Sequence, residues 1–359
     1  MQGLAKVLNK PSPKSTKNYI NFLGLSSKIL SVMCKSLGIL LANTGTPDAP
    51  TLKAVRRFLA QFLADPRVIE MSCWAWLPLL HGIILNTRPR RSAKLYQRVW
   101  DERGSPLLYH TRDLAENLEA ALRARLPEAS LNVAVGMRYG NPSIKDAIGE
   151  LREKGATHLV ILPLFPQYSN TTSGTIIAAV FDELKRWRAI PPTEIINNYH
   201  DHPAYISAVA ESLRAFWAQS QKPEKLMLSF HGIPAAYAEK GDPYDAQCLR
   251  TAELLAAELT LGEDEWLAAF QSRFGRQEWL QPYTSQTLEK LGAENLDNLG
   301  VVAPGFAVDC LETVGELGDE GRESFQNAGG GEYRYFPALN ASDLHVEALS
   351  EIILERIQK

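Results

Sequence analysis

The residue in this sequence best suited to acid–base or metal chemistry is His231. It follows the apolar run Lys225–Phe230 and precedes Gly232, a residue that permits a tight turn. An imidazole titrates near neutrality and can act as a base or bind a metal ion. A histidine at the end of a strand is placed to reach into a cleft, which favours a functional role over a merely buried side chain.

Carboxylates follow the apolar run Leu299–Ala303 at regular spacing. Asp309 and Glu312 have the spacing of a capping box, so a helix is predicted to begin at Asp309. On that helix Glu312, Glu316 and Glu320 share one face, where like charges repel each other. The pattern is compatible both with a solvated acidic face and with a path for a divalent cation.

Two further segments combine aromatic side chains with hydrogen-bonding groups. One is Phe270–Gly275 together with Trp279–Thr284, and the other is Met137–Tyr139 together with Phe165–Ser169. This mixture suits a large, flat, mostly apolar ligand with a few polar contacts.

These side chains must be positioned by an alternation of short apolar runs and longer amphipathic segments. The runs are nearly continuous hydrophobics, a pattern typical of parallel strands that are covered on both faces. The alternation predicts an α/β doubly wound fold, in which ligands bind outside the carboxyl ends of the strands. The predicted strands are Gly38–Ala42, Leu131–Gly136, His158–Pro163, Thr193–Asn197, Lys225–Phe230, Trp266–Gln271, Leu299–Ala303 and Glu332–Phe336.

About eight strands suit two parallel sheets of four better than one open sheet. A break near residues 198–206 divides the chain into a first domain, 37–203, and a second domain, 204–340. The last helix, within 341–359, is expected to pack back on the first domain. Residues 1–36 are expected to form an N-terminal extension that is disordered or cleaved.

Composition excludes several classes of protein. The 359 residues carry 38 basic and 41 acidic side chains, a net charge of −3, so nucleic acid is not expected as a partner. The four cysteines, Cys34, Cys73, Cys248 and Cys310, form no CxxC pair and are expected to be reduced thiols of a cytosolic protein. The apolar run Trp74–Leu85 is too short to cross a bilayer but long enough to lie against one.

Taken together, the motifs resemble those of the ferrochelatases, which insert ferrous iron into protoporphyrin IX to make haem. The resemblance extends from about Leu37 to the end of the chain. It is carried by Leu40–Pro47, Ser229–Pro234, Gly241–Tyr244, Gln271–Gly275, Trp279–Thr284, Pro304–Phe306 and Asp309–Thr313.

The resemblance implies two similar Rossmann-like domains that face one cleft. His231 matches the family's cleft histidine and Glu312 its facing glutamate, so both are expected to be catalytic and to bind the metal, with Glu316 and Glu320 as a metal path. Which of His231 and Glu312 deprotonates the porphyrin stays open. The positions that match the porphyrin pocket are Arg138, Tyr139, Ser272, Trp279, Phe306 and Asp309, and those near the propionates are Arg88 and Arg91.

The resemblance also implies what the protein works with. Fe²⁺ and protoporphyrin IX are the expected substrates, with no resident cofactor and no iron–sulfur cluster. Residues 71–85 resemble a hydrophobic lip, so a cytoplasmic protein with peripheral membrane contact is expected. The alternatives are a porphyrin or haem carrier without catalysis and a cobalt chelatase of the same fold. A nicotinamide oxidoreductase is disfavoured because no glycine fingerprint is present.

Overall fold

The computed structural model describes residues 36–275 and 277–358. The predicted N-terminal extension, apart from Ser36, lies outside these residues, as does Cys34. Ser36 opens the first strand.

The described strands form two parallel sheets of four, which confirms the predicted α/β architecture. The first sheet has the order β2-β1-β3-β4 and the second the equivalent order β6-β5-β7-β8. The strands are β1 Ser36–Thr46, β2 Ser130–Gly140, β3 His158–Pro163, β4 Thr193–Ile195, β5 Lys225–His231, β6 Trp266–Gln271, β7 Asn298–Val302 and β8 Glu332–Phe336.

Helices connect the strands and cover both sheets. The α-helices are α1 Leu52–Leu63, α2 Cys73–Leu79, α3 Leu85–Val99, α4 Pro106–Arg125, α5 Ile144–Glu153, α6 Ser173–Leu184, α7 Pro203–Gln219, α8 Ala235–Glu239, α9 Tyr244–Glu258, α10 Thr284–Ala293, α11 Gly321–Asn327 and α12 Asp343–Gln358. Two π-helices, Leu80–Ile84 and Leu311–Glu320, and a short 3₁₀-helix, Glu263–Glu265, complete the described elements. No described helix has the length and apolar character needed to span a membrane.

The central strands are buried on both faces, as their continuous hydrophobicity predicts. In β1, Ile39 and Leu41 belong to one core cluster while Leu40 and Ala42 belong to another. The first of these clusters also contains Leu228 of β5, so the two sheets share a hydrophobic core. This shared core holds the carboxyl ends of the two sheets in a fixed relation.

The C-terminal helix α12 packs against α4 and α7. Arg125 of α4 forms an ion pair with Glu347 of α12, and the Asn117 amide donates to the carbonyl of Ala341 at 3.1 Å. The division of the chain into domains at residue 203 stays a prediction.

Candidate active site

The carboxyl ends of both sheets open onto one cavity of about 360 Å³. The segments that follow β1, β3, β5, β6 and β7 all contribute to its lining. Its walls are mostly apolar and include the aromatic residues Phe58, Phe62, Trp76, Tyr96, Phe274 and Trp279. A cavity of this kind suits a flat apolar ligand.

His231 is the last residue of β5, and its side chain lines the cavity. Its Nδ1 atom lies 2.7 Å from the carbonyl oxygen of Gly232. The turn after it is tight: a Cβ at Gly232 would lie 2.9 Å from the carbonyl oxygen of Gln271 and 3.0 Å from the Trp279 ring. Only glycine therefore fits at position 232, where the chain turns directly after His231.

Glu312 lines the same cavity from the first turn of the π-helix Leu311–Glu320. Gln271, at the end of β6, donates to the backbone carbonyl of Glu312 at 2.8 Å. The Gln271 side chain is itself fixed by the hydroxyl of Ser229 on β5, at 2.9 Å. Strands β5 and β6 thus position both His231 and the helix that carries Glu312.

The prediction that a helix begins at Asp309 was wrong. The helix begins at Leu311 with Cys310 as its N-cap, and it is a π-helix instead of an α-helix. Asp309 is buried, and its carboxylate accepts hydrogen bonds from Tyr335 at 2.7 Å and from Thr313 at 2.8 Å. These partners occupy the side chain that would otherwise cap the helix.

The three glutamates run from the cavity to the surface. Glu312 lines the cavity, Glu316 is half-buried behind it, and Glu320 is exposed. Burial raises the pKa of Glu316, while hydrogen bonds from Ser272 and the charge of His231 act in the opposite direction.

Two of the six residues matched to the porphyrin pocket, Trp279 and Phe306, line the cavity. Arg138 and Tyr139 instead bind the buried carboxylate of Asp65, at 2.5 and 2.9 Å. Burial, followed by the charge of Asp65, raises the pKa of Tyr139. Ser272 and Asp309 are not among the lining residues either, so the porphyrin contacts of these four residues stay predictions.

Arg88 and Arg91 lie on α3, and Arg88 contacts a residue that lines the cavity. The Arg88 guanidinium lies 4.6 Å from the centroid of the Phe274 ring, and Phe274 lines the cavity. Burial, followed by the charge of Arg91, lowers the pKa of Arg88. Arg91 is exposed. Their contacts with propionates also stay predictions.

The sequence motifs do not point to several of the lining residues, among them Tyr96 and Glu70. Burial, followed by the charges of Glu312 and Cys310, raises the pKa of Tyr96. Tyr96 shares the buried face of α3 with Ala93, so helical periodicity could have assigned it to the interior but not to this cavity.

The mouth of the cavity is crossed by contacts between the two halves of the chain. Glu70 forms an ion pair of 2.6 Å with Lys240, and its backbone N–H donates to the Tyr237 hydroxyl at 3.2 Å. Beyond Glu70, the segment 71–85 exposes several large apolar side chains. They include Trp74, which is 93% exposed, and Ile83, which is 58% exposed.

In residues 36–275 and 277–358, no group of three or more His, Cys, Asp or Glu side chains is arranged to hold a metal ion. His231 and Glu312 are both among the residues that line the cavity. Imidazole and carboxylate both suit ferrous iron.

Comparisons with known proteins identify the family. A family model described as Ferrochelatase matches residues 36–357. A relative from Thioalkalivibrio sulfidiphilus, named Ferrochelatase, is 51% identical over 322 residues, covering 90% of this chain and 87% of the relative. Another with the same name, from Nitrosococcus oceani, is 48% identical over 339 residues, covering 94% of this chain and 91% of that one.

The solved structure of SirB from Bacillus subtilis with Fe³⁺ superposes with a TM-score of 0.52 at 12% identity, covering 90% of this chain and 96% of that one. At 12% identity this similarity is evidence for the fold alone, and it supports the two-sheet α/β architecture described above. The family match and the curated relatives confirm what the motifs around His231 and Glu312 implied: the chain belongs to the ferrochelatase family.

Proposed function

We propose that His231 and Glu312 carry out the chemistry of this ferrochelatase, a lyase of haem biosynthesis that inserts Fe²⁺ into protoporphyrin IX and releases two protons. The observation that carries the proposal is that both side chains line the one cavity at the carboxyl ends of both sheets. Neither a haem carrier nor a cobalt chelatase is favoured, because curated relatives that share 48% and 51% sequence identity with this chain are named Ferrochelatase.

The reaction needs a distorted ring and a base. A flat porphyrin carries two protons on its central nitrogens, so a metal cannot reach four in-plane lone pairs. Bending the ring tips the nitrogens out of the plane, and binding energy from the rim of the macrocycle can supply that distortion. In this chain the aromatic walls, with Trp279 and Phe306 among them, would hold the rim. Arg88 and Arg91 would bind the propionates through charge-assisted hydrogen bonds.

His231 and Glu312 then share two tasks, accepting the pyrrole protons and holding the incoming Fe²⁺. Two ligands make a weak site, from which the metal can leave for the four nitrogens of the ring. Glu316 and Glu320 would lead the cation inward from the surface. Their order from half-buried to exposed supports this path.

The lip supports a peripheral contact with the membrane from the cytoplasmic side. Trp74 and Ile83 are exposed there. The porphyrin macrocycle is mostly apolar, so a cavity whose mouth lies against lipid would receive its substrate without passage through water. We propose that the protein works without a resident cofactor or iron–sulfur cluster. Cys73 is exposed, whereas Cys248 and Cys310 are buried as free thiols.

The test is anaerobic conversion of protoporphyrin IX and Fe²⁺, followed by the loss of porphyrin fluorescence and the appearance of a haem spectrum. The wild type is compared with Glu312→Gln and with a control, Glu323→Gln, whose side chain is exposed on α11. Turnover by the wild type and control but not by Glu312→Gln supports the proposal. Porphyrin binding by the wild type without turnover would instead identify a carrier.

A further inference from the structure

Ser272 follows β6 with its backbone in the left-handed region, at a φ of 64°. An L-residue with a side chain rarely adopts this conformation, because its Cβ crowds the backbone. Such conformations persist only where the surroundings enforce them, and they cluster at functional sites. The resemblance placed Ser272 in the porphyrin pocket, yet it is not among the residues that line the cavity.

The contacts of Ser272 show what this backbone conformation achieves. Its backbone N–H donates to Oε1 of Glu316 at 2.7 Å, and its hydroxyl donates to Oε2 of the same carboxylate. One residue therefore holds both oxygens of one carboxylate, which leaves the carboxylate a single orientation. Hydrogen bonds to an ionised carboxylate are among the stronger ones in proteins.

Gln271, the residue before Ser272, connects this arrangement to the backbone of Glu312. Gln271 donates to the backbone carbonyl of Glu312 at 2.8 Å and lies 3.5 Å from Oε2 of Glu316. The end of β6 thus fixes the backbone at Glu312 and the side chain of Glu316. His231 forms the end of β5, the strand that pairs with β6.

We propose that Ser272 is a positioning residue for iron delivery, which holds the carboxylate of Glu316 in the orientation that passes Fe²⁺ on to Glu312 and His231. This inference rests on the proposed iron path through Glu316. Under this inference Ser272 serves the delivery of iron instead of the binding of porphyrin.

The main test variant is Ser272→Gly. Glycine adopts a positive φ freely, so the backbone N–H can stay in place while the hydroxyl is lost. The matched control is Thr260→Gly, because Thr260 also has a positive φ, 55°, but is exposed at the end of α9. Denaturant unfolding of both variants separates the relief of backbone strain from any effect on the reaction.

The decisive readout is a comparison of KM for Fe²⁺ with KM for protoporphyrin IX. We expect Ser272→Gly to raise KM for Fe²⁺ by about tenfold, the factor that one lost hydrogen bond to a charged group produces. KM for the porphyrin and both constants of Thr260→Gly should stay at the wild-type values. In a Glu316→Gln background, Ser272→Gly should add nothing further, because the group it positions is already changed.

Three outcomes would overturn the inference. If Ser272→Gly keeps a wild-type KM for Fe²⁺ while Glu316→Gln raises it, the iron path stands but Ser272 does not position it. If neither variant changes KM for Fe²⁺, the proposed path itself fails and the inference with it. If Ser272→Gly raises both constants, or has its full effect in the Glu316→Gln background, the residue acts on the fold or through another group.

Discussion

The Nδ1 atom of His231 lies 2.7 Å from the carbonyl oxygen of Gly232, and this contact selects the tautomer of the ring. A carbonyl oxygen can only accept a hydrogen bond, so Nδ1 carries the proton of the neutral imidazole. The lone pair is then on Nε2. That is the atom available to a pyrrole proton or to Fe²⁺.

Replacing His231 by alanine should lower kcat by at least about 100-fold, the range in which a general base contributes. Porphyrin binding should persist, since the aromatic walls supply most of the contact area. Anaerobic haem formation measures the first quantity and porphyrin fluorescence the second. His202→Asn serves as the control, because His202 is the N-cap of α7 and does not line the cavity, and asparagine can keep the cap. Near-normal turnover by His231→Ala would contradict the role of this residue.

Replacing Glu320 by glutamine should raise KM for Fe²⁺ by a smaller factor than Glu316→Gln does. Glu320 is exposed, so solvent and salt screen its attraction for a cation, whereas Glu316 is half-buried. The effect of Glu320→Gln should fade as ionic strength rises. Asp319→Asn, a neighbouring exposed acid, is the matched control. An unchanged iron dependence in both glutamate variants would favour a solvated acidic face over a metal path.

The stability of the protein should fall as the pH drops from about 6.5 towards 4. Burial lowers the pKa of His345 to about 4 from an ordinary value of 6.5, so the unfolded chain binds a proton that the folded chain excludes. The stability contributed by neutral His345 is complete above the unfolded pKa and is lost through this window. The loss amounts to about 2 kcal/mol at about pH 5.

Urea unfolding at pH 7 and at pH 5 measures this loss, with His345→Gln as the comparison. Glutamine can still donate to the carbonyl of Asn340, which lies 2.6 Å from Nδ1 of His345, but it does not titrate. The variant should therefore lose about 2 kcal/mol less than the wild type between the two pH values. An equal loss in both proteins would assign the pH dependence to other groups.

Replacing Trp74 by alanine together with Ile83 by serine should weaken binding to vesicles of anionic phospholipid. Both side chains are exposed on the lip, so the free energy of unfolding should change little. Ile190→Ser is the matched control, because Ile190 has the same exposure of 58% as Ile83 but lies before β4. Vesicle sedimentation separates the two variants, and equal binding by both would refute a membrane contact through the lip.

Elements whose hydrophobic pattern is continuous could be predicted from the sequence almost to the residue. Strands β3, β6 and β8 have the predicted bounds. In β3 the apolar run Leu159–Pro163 is buried throughout and ends where the strand ends. Strand β1 extends four residues beyond its predicted end, to Thr46, where it still pairs with Gly140 of β2. That extension depends on a partner strand and has no local signal.

His231 and Glu312 both line the cavity, as their specific motifs predicted, while their catalytic and metal-binding roles stay predictions. Where tertiary packing decides the position of a side chain, the sequence was less informative. Acidic residues spaced four apart are typical of one face of an α-helix. The sequence pattern therefore gives no sign that Glu312, Glu316 and Glu320 lie on a π-helix. The spacing of Asp309 and Glu312 matches a capping box, but tertiary partners occupy Asp309. Tyr96 lines the cavity from α3, which is far in sequence from His231 and Glu312, so its place beside them follows only from the tertiary structure.

In the π-helix Leu311–Glu320, the number of residues determines the directions in which Glu312 and Glu316 point. The length of this segment therefore matters more to the site than most of its individual side chains. Each residue of an α-helix turns the chain by about 100°, and each residue of the wider π-helix turns it by less. Losing one residue between Glu312 and Glu316 would change the angle between their side chains and would rotate Glu316 away from Ser272. Insertions and deletions should therefore be tolerated in the surface loops of this protein but not within these ten residues, even where the remaining acids are all retained.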